Sequence, residues 1–198
     1  MARWQQFHVI TGGPGAGKST LVAALAARGL TCMPEGGRAI IRAQRAIGGQ
    51  ARPEVDRAAF AEAMLGWELR SHAEAAERRG PVVFDRGLAD VAGYLALCGL
   101  PVPGHLERAC EGLRYAPAVF LAPPWRKIYA GDGERAQGWE EACATHDAVA
   151  TAWAGFGYTL VELPRGPVAE RVAFVLERIG RAPAQPIMPS AGKVSSSQ

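Results

Sequence analysis

Cysteine is scarce and scattered. The four thiols, Cys32, Cys98, Cys110 and Cys143, include no Cys-x-x-Cys pair. This excludes a zinc ribbon or a disulfide framework and leaves single buried thiols in a reducing compartment as the expectation. Lysine is rarer still: Lys18, Lys127 and Lys193 are the whole set, and every other basic residue is arginine or histidine. Arginine pairs bidentately with phosphate and carboxylate, so an anionic ligand fits; a GC-rich genome that favours Arg and Ala codons explains the same bias. No apolar run is long enough to cross a bilayer, and Met1 is expected to lead straight into a strand, without a signal peptide. These absences describe a cytoplasmic protein with no membrane partner. The net charge of +3 is too small to call for nucleic acid. The histidines His8, His72, His105 and His146 have no metal-ligand spacing, and none is expected to be catalytic.

What is present is a regular alternation. Phe7–Thr11, Leu30–Met33, Pro81–Phe84, Ala118–Leu121 and Tyr158–Leu163 are short apolar runs bounded by Gly, Pro or charged residues, and predict buried strands. Between them lie amphipathic stretches predicting helices: Lys18–Arg28, Arg38–Ile47, Pro53–Arg79, Leu88–Cys98, His105–Leu113, Trp139–Trp153 and Val168–Ile179. In the longest, Pro53 is expected in the first turn, Gly80 at the stop, and Phe60, Met64, Trp67 and Leu69 on the apolar face. No repeat occurs, and 198 residues suit one domain. The expected domain spans residues 1–180. Residues 181–198, rich in Pro, Ser, Gly and Ala, are expected to be a disordered tail. The pattern implies an α/β fold: a five-stranded parallel sheet with helices on both faces, in three layers.

Ligands in such folds bind at the carboxyl ends of the strands. There the sequence concentrates its chemistry. Gly12-Gly13-Pro14-Gly15-Ala16-Gly17-Lys18-Ser19 matches G-x-x-x-x-G-K-[ST] in full, with a strand before it and a helix after. Glycines let successive backbone N–H groups turn inward around phosphate oxygens, and the helix adds its positive end. Lys18 would reach the β- and γ-phosphates, Ser19 would hold Mg²⁺, and Thr20 completes the nucleotide-binding run. With no Asn-Lys-x-Asp motif to select guanine, ATP is the expected nucleotide.

The other strand ends are read in the same way. Asp85 follows an apolar strand, where a carboxylate holds Mg²⁺; the alternative is a helix cap. Arg86 either reaches the acceptor or makes a surface ion pair. Glu35 would take the proton of an attacking hydroxyl or hold that hydroxyl, unless it is a solvated loop residue. Arg38 and Arg42, four apart, would clamp an anionic acceptor or form a solvated face. The stretch Trp125–Arg135 is polar and charged, as a lid over ATP would be. Arg135 first, and Arg126 second, are its candidates for stabilising the transferring phosphoryl group.

Together the phosphate loop, Pro34-Glu35, Phe84-Asp85-Arg86-Gly87 and Leu121–Arg135 resemble a family of small bacterial AAA-type predicted ATPases. That family is similar to the P-loop kinases of nicotinamide riboside, deoxynucleosides and thymidylate. The resemblance implies a P-loop NTPase fold over about residues 5–180. It also implies roles: Asp85 and Arg86 match the thymidylate-type Asp-Arg pair for Mg²⁺ and substrate phosphate. Glu35 matches the deoxynucleoside-kinase base, and Trp125, Asp132, Gly133 and Arg135 match a nicotinamide-riboside-kinase lid. The full thymidylate substrate motifs are missing, as are the sensor motifs of an AAA+ machine. The expected function is an ATP- and Mg²⁺-dependent phosphotransferase acting on a small-molecule acceptor, as a monomer or homodimer. The alternative is a nucleotide-hydrolysing switch with a protein or lipid partner.

Overall fold

The computed structural model describes residues 2–129 and 138–180. Five strands form one sheet: β1 (Phe7–Gly12), β2 (Thr31–Met33), β3 (Val82–Asp85), β4 (Ala118–Ala122) and β5 (Thr159–Glu162). Their spatial order is β2-β3-β1-β4-β5, and every pairing is parallel. The helices are α1 (Lys18–Ala26), α2 (Gly37–Ala46), α3 (Arg57–Ala76), α4 (Leu88–Leu97), α5 (Gly104–Gly112), α6 (Trp139–Gly155) and α7 (Val168–Gly180).

Alternating side chains of each central strand enter opposite cores, which is why the strand sequences are apolar throughout. Val9 and Phe84 join Leu65, Leu88, Tyr115 and Trp153 in the layer under α3, α4 and α6. Ile10, Val83 and Phe120 join Leu21, Leu25, Val172 and Val175 in the layer under α1 and α7. Ile10 pairs with Asp85 on one side and Phe120 on the other. The register therefore brings the phosphate loop and Asp85 to the same edge of the sheet.

Five sequence expectations need correction. The long helix begins at Arg57, not Pro53, because Asp56 adopts extended backbone and its carboxylate accepts from the Ala59 N–H at 2.9 Å. It ends at Ala76, short of Arg79. Leu69 is on its exposed side; Leu65 fills the core instead. A 3₁₀ turn, Arg3–Gln6, precedes the first strand. The cysteines are free thiols, but only Cys110 is buried; Cys32, Cys98 and Cys143 are half-buried. No helix among the described residues is long and apolar enough to cross a membrane.

Candidate active site

Two cavities open at the carboxyl edge of the sheet. The smaller, about 230 Å³, is formed by Pro14 to Thr20 of the phosphate loop with Glu35, Arg38 and Arg86. The larger, about 580 Å³, lies between α2, α3, α4 and α6. Glu35 and Arg86 belong to both walls.

Two of the loop's glycines show what its geometry requires. Gly12 has φ +129°, and a Cβ there would run into the Ala122 carbonyl of β4. Gly17 caps α1 at φ +75°, with the Arg171 guanidinium 2.7 Å from where its Cβ would stand. The buried Lys18 ammonium donates to the carbonyls of Gly12 (2.9 Å) and Gly13 (2.7 Å). Burial lowers its pKa to about 7, and the Arg86 charge pushes the same way against Asp85, Glu35 and Asp90. Bound phosphate would reverse that balance.

Asp85 ends β3, buried. Its Oδ2 accepts from Ser19 Oγ at 3.4 Å, while its buried Oδ1 has no partner among the described residues. Burial raises its pKa, with Lys18 and Glu35 acting in opposite directions on it. An unsatisfied buried carboxylate oxygen beside a hydroxyl is a donor set for a hard cation. Ser19 and Asp85 therefore fit Mg²⁺, which takes one or two protein oxygens and completes its shell with phosphate and water. Among the described residues no cluster of three or more His, Cys, Asp or Glu forms a stand-alone metal site.

Arg86 carries a left-handed backbone, φ +75°, and is the one non-glycine residue with positive φ among the described residues. The turn aims its side chain between the cavities. Nη1 donates to Asp90 Oδ1 at 2.9 Å, and Nε to Glu35 Oε1 at 3.4 Å. Burial opposes its charge, but Asp90, Glu35 and Asp85 more than offset this and hold the guanidinium protonated. Glu35 also pairs with Arg38 Nε at 3.6 Å. The turn carrying it is pinned by Trp67, whose indole donates to Pro34 O at 3.0 Å and whose ring lies on Gly36. Arg42 is exposed on α2. Arg126 is exposed, with its guanidinium over the Trp139 ring at 5.0 Å. Asp132, Gly133 and Arg135 lie outside the described residues.

Three buried charged residues escaped the sequence reading. Asp90, on α4, accepts from Thr11 Oγ1 (2.5 Å), Arg86 Nη1 (2.9 Å), Trp153 Nε1 (2.9 Å) and the Gly87 N–H (3.1 Å). It ties β1, α6 and the start of α4 to Arg86. Its signal was an acidic residue three positions after Gly87, where a first-turn carboxylate reaches back to the N–H of the residue that starts the helix. Arg171, on α7, donates from Nη1 to Ala16 O at 3.0 Å, and its Nε is buried without a partner among the described residues. Burial lowers its pKa. A cation so placed under the loop adds to the positive field that phosphates meet. Glu68 lies buried in the wall of the larger cavity. It falls four residues after Met64 and eight after Phe60, on the apolar stripe itself.

A family model described as an AAA domain matches residues 7–171. No curated protein matches in sequence. Similar solved structures include deoxyadenosine kinase from M. mycoides with the products dCMP and dCDP bound, at 12% identity and TM-score 0.61, covering 88% of this chain and 98% of that one. NadR protein in complex with NR shares 20% identity and TM-score 0.65, covering 90% of this chain and 52% of that one, so this chain spans about half of NadR. Shikimate kinase from Acinetobacter baumannii, in complex with shikimate, shares 15% identity and TM-score 0.52 and covers 88% and 92%. At these identities the likeness is one of fold: a five-stranded parallel sheet carrying a phosphate loop, as in the P-loop kinases. The chain belongs to the AAA domain family, with the architecture of a small P-loop kinase.

Proposed function

We propose that this chain is an ATP- and Mg²⁺-dependent phosphotransferase acting on a hydroxyl group of a small molecule. The observation that carries the reading is the common wall. A phosphate-sized cavity and a 580 Å³ cavity meet at Glu35 and Arg86. A switch ATPase needs only the first of these. The solved neighbours support the reading in kind: NR, shikimate and dCMP occupy structures of this fold.

The residues divide the work as follows. The amides of residues 13 to 19, with Lys18, bind the β- and γ-phosphates, and Arg171 strengthens the field beneath them. Ser19 and Asp85 hold Mg²⁺, which when bound neutralises charge on the phosphate oxygens. Glu35 faces the acceptor hydroxyl and takes its proton as the oxygen–phosphorus bond forms; the bond from the γ-phosphorus to its bridging oxygen breaks, and its electron pair leaves with ADP. Arg86, fixed by Asp90, holds Glu35 in place through their 3.4 Å ion pair and lies beside the transferring group. Arg135 and Asp132 remain the candidates for closing the nucleotide side, with Arg126 as a further candidate and Arg38 in the cavity wall.

The test is an ATP-consumption screen over small hydroxyl compounds, followed by single-turnover transfer with Glu35→Gln. Loss of general-base help lowers transfer by at least about 10²-fold while MgATP affinity is unchanged. Near wild-type transfer by Glu35→Gln would remove the base from the mechanism. Absence of any acceptor, with basal hydrolysis insensitive to Glu35→Gln, would favour a nucleotide-hydrolysing switch with a protein or lipid partner.

A further inference from the structure

The larger cavity is selective in charge. Its walls are mostly apolar, with Ile41, Phe60, Met64, Val91, Tyr94 and Val149 among them. At 580 Å³ it suits a molecule of cofactor or drug size. Its buried cation, Arg86, is already held by Asp90 and Glu35. Arg45, at the rim, is paired with Glu54 at 3.2 Å. Arg57 is exposed. An anionic ligand would have to draw Arg86 or Arg45 away from a carboxylate, or else meet only the solvated Arg57.

Glu68 is the opposite case. It is 6% exposed and lines the cavity, no hydrogen bond or ion pair to its carboxyl occurs among the described residues, and the Arg86 charge only partly offsets its burial. Buried polar groups in native proteins have partners, and one without a partner calls for an explanation. Folding alone does not supply it, because an apolar side chain would fill the same space at less cost. Burial raises its pKa well above the ordinary carboxylate value, and the Asp90 carboxylate adds to the rise. A ligand that donates a hydrogen bond to this carboxyl relieves the burden.

We propose that Glu68 selects the compound taken by the larger cavity: an uncharged or cationic molecule with an apolar body and an N–H or O–H that donates to the Glu68 carboxyl. The inference rests on the reading of this cavity as the acceptor site. It deepens that reading by excluding phosphorylated acceptors, so the chain acts on the unphosphorylated compound.

Binding to the full chain is measured by calorimetry, with three sets of probes: uncharged nucleosides, aryl alcohols bearing a quaternary ammonium, and the 5′-monophosphates of the same nucleosides. At least one uncharged or cationic probe binds at millimolar Kd or tighter, and a monophosphate binds at least about tenfold more weakly than its parent. An analogue of the bound probe with its donor methylated also loses about tenfold on the wild-type protein. Glu68→Leu erases the difference between probe and analogue, and Glu68→Gln, which keeps an acceptor oxygen, retains part of it. A purely structural Glu68 would weaken both ligands equally and leave the difference intact. The proposal is overturned if monophosphates bind more tightly than their parents, if Glu68→Leu still discriminates, or if no probe binds while MgATP does. A probe that binds through Glu68 but is never phosphorylated would sustain this inference and refute the acceptor reading.

Discussion

Replacing Asp90 by Asn changes one atom and tests the framework behind the site. The carboxylate receives four donors, two on each oxygen: Thr11 Oγ1 and Arg86 Nη1 on Oδ1, and Trp153 Nε1 and the Gly87 N–H on Oδ2. An amide has only one acceptor oxygen. With its NH₂ on the Oδ2 side it faces the indole and backbone N–H groups, neither of which can turn round to accept. With its NH₂ on the Oδ1 side, the Thr11 hydroxyl can rotate to accept, but the guanidinium of Arg86 cannot. Either way a buried ion pair is broken, since the two side chains are only 13% and 6% exposed. Such a loss costs about 3–5 kcal/mol. For a chain of this size each kcal/mol moves the melting temperature by about 2–4 °C, so a fall of roughly 6–20 °C is expected. Urea unfolding should show the midpoint lowered at unchanged slope. Asp147→Asn is the control. Asp147 is 79% exposed and pairs with its neighbour His146, so its change stays within about 0.5 kcal/mol. A loss below about 1 kcal/mol for Asp90→Asn would refute the argument, because the four donors would then have found other partners.

Lys18→Ala should abolish MgATP binding by calorimetry while the circular dichroism spectrum is unchanged; normal affinity would discard the phosphate-loop assignment. Without nucleotide, burial holds Lys18 at about 7 against 10.5 for a free lysine, so the folded chain loses this proton before the unfolded one. Its stability should therefore rise between those two pH values, and Lys18→Met should flatten the rise; superimposable pH profiles in urea unfolding would contradict this. Asp85→Asn should cut Mg²⁺-dependent turnover far more than stability, and an unaltered Mg²⁺ titration would reduce Asp85 to a turn residue. Deleting residues 181–198 should change neither melting temperature nor nucleotide affinity; a large loss of either would show that these residues dock on the domain.

The central strands β1, β3 and β4 were legible because short apolar runs with both faces buried look alike in sequence and in space, and the less buried edge strands β2 and β5 through their short apolar runs alone. All five stand within a residue or two of expectation, and the phosphate loop was legible in full because its backbone needs glycine. What remained hidden was the buried charge. Helical periodicity marks the apolar face and treats charged residues as solvated, yet Glu68 continues the line of Phe60 and Met64 into the cavity. Asp90 and Arg171 are buried by partners distant in sequence, Trp153 and Ala16, which no local pattern encodes. The start of α3 was misplaced for a related reason. Pro53 is compatible with a first turn, but the Asp56 carboxylate reaching the Ala59 N–H fixes the true start.

The wall shared by the two cavities has a thermodynamic consequence. Glu35 and Arg86 form one ion pair, yet each is exposed to whatever fills either side. A nucleotide that draws on Arg86 changes the charge that Glu35 offers to the other ligand, and the converse holds with the same free energy. If each cavity takes its proposed ligand, the affinity of either has no single value: it is a function of the other's concentration, and a titration of one reports on both. A non-transferable nucleotide would reveal the coupling directly, as a shift in the second ligand's Kd equal in factor to the shift in its own.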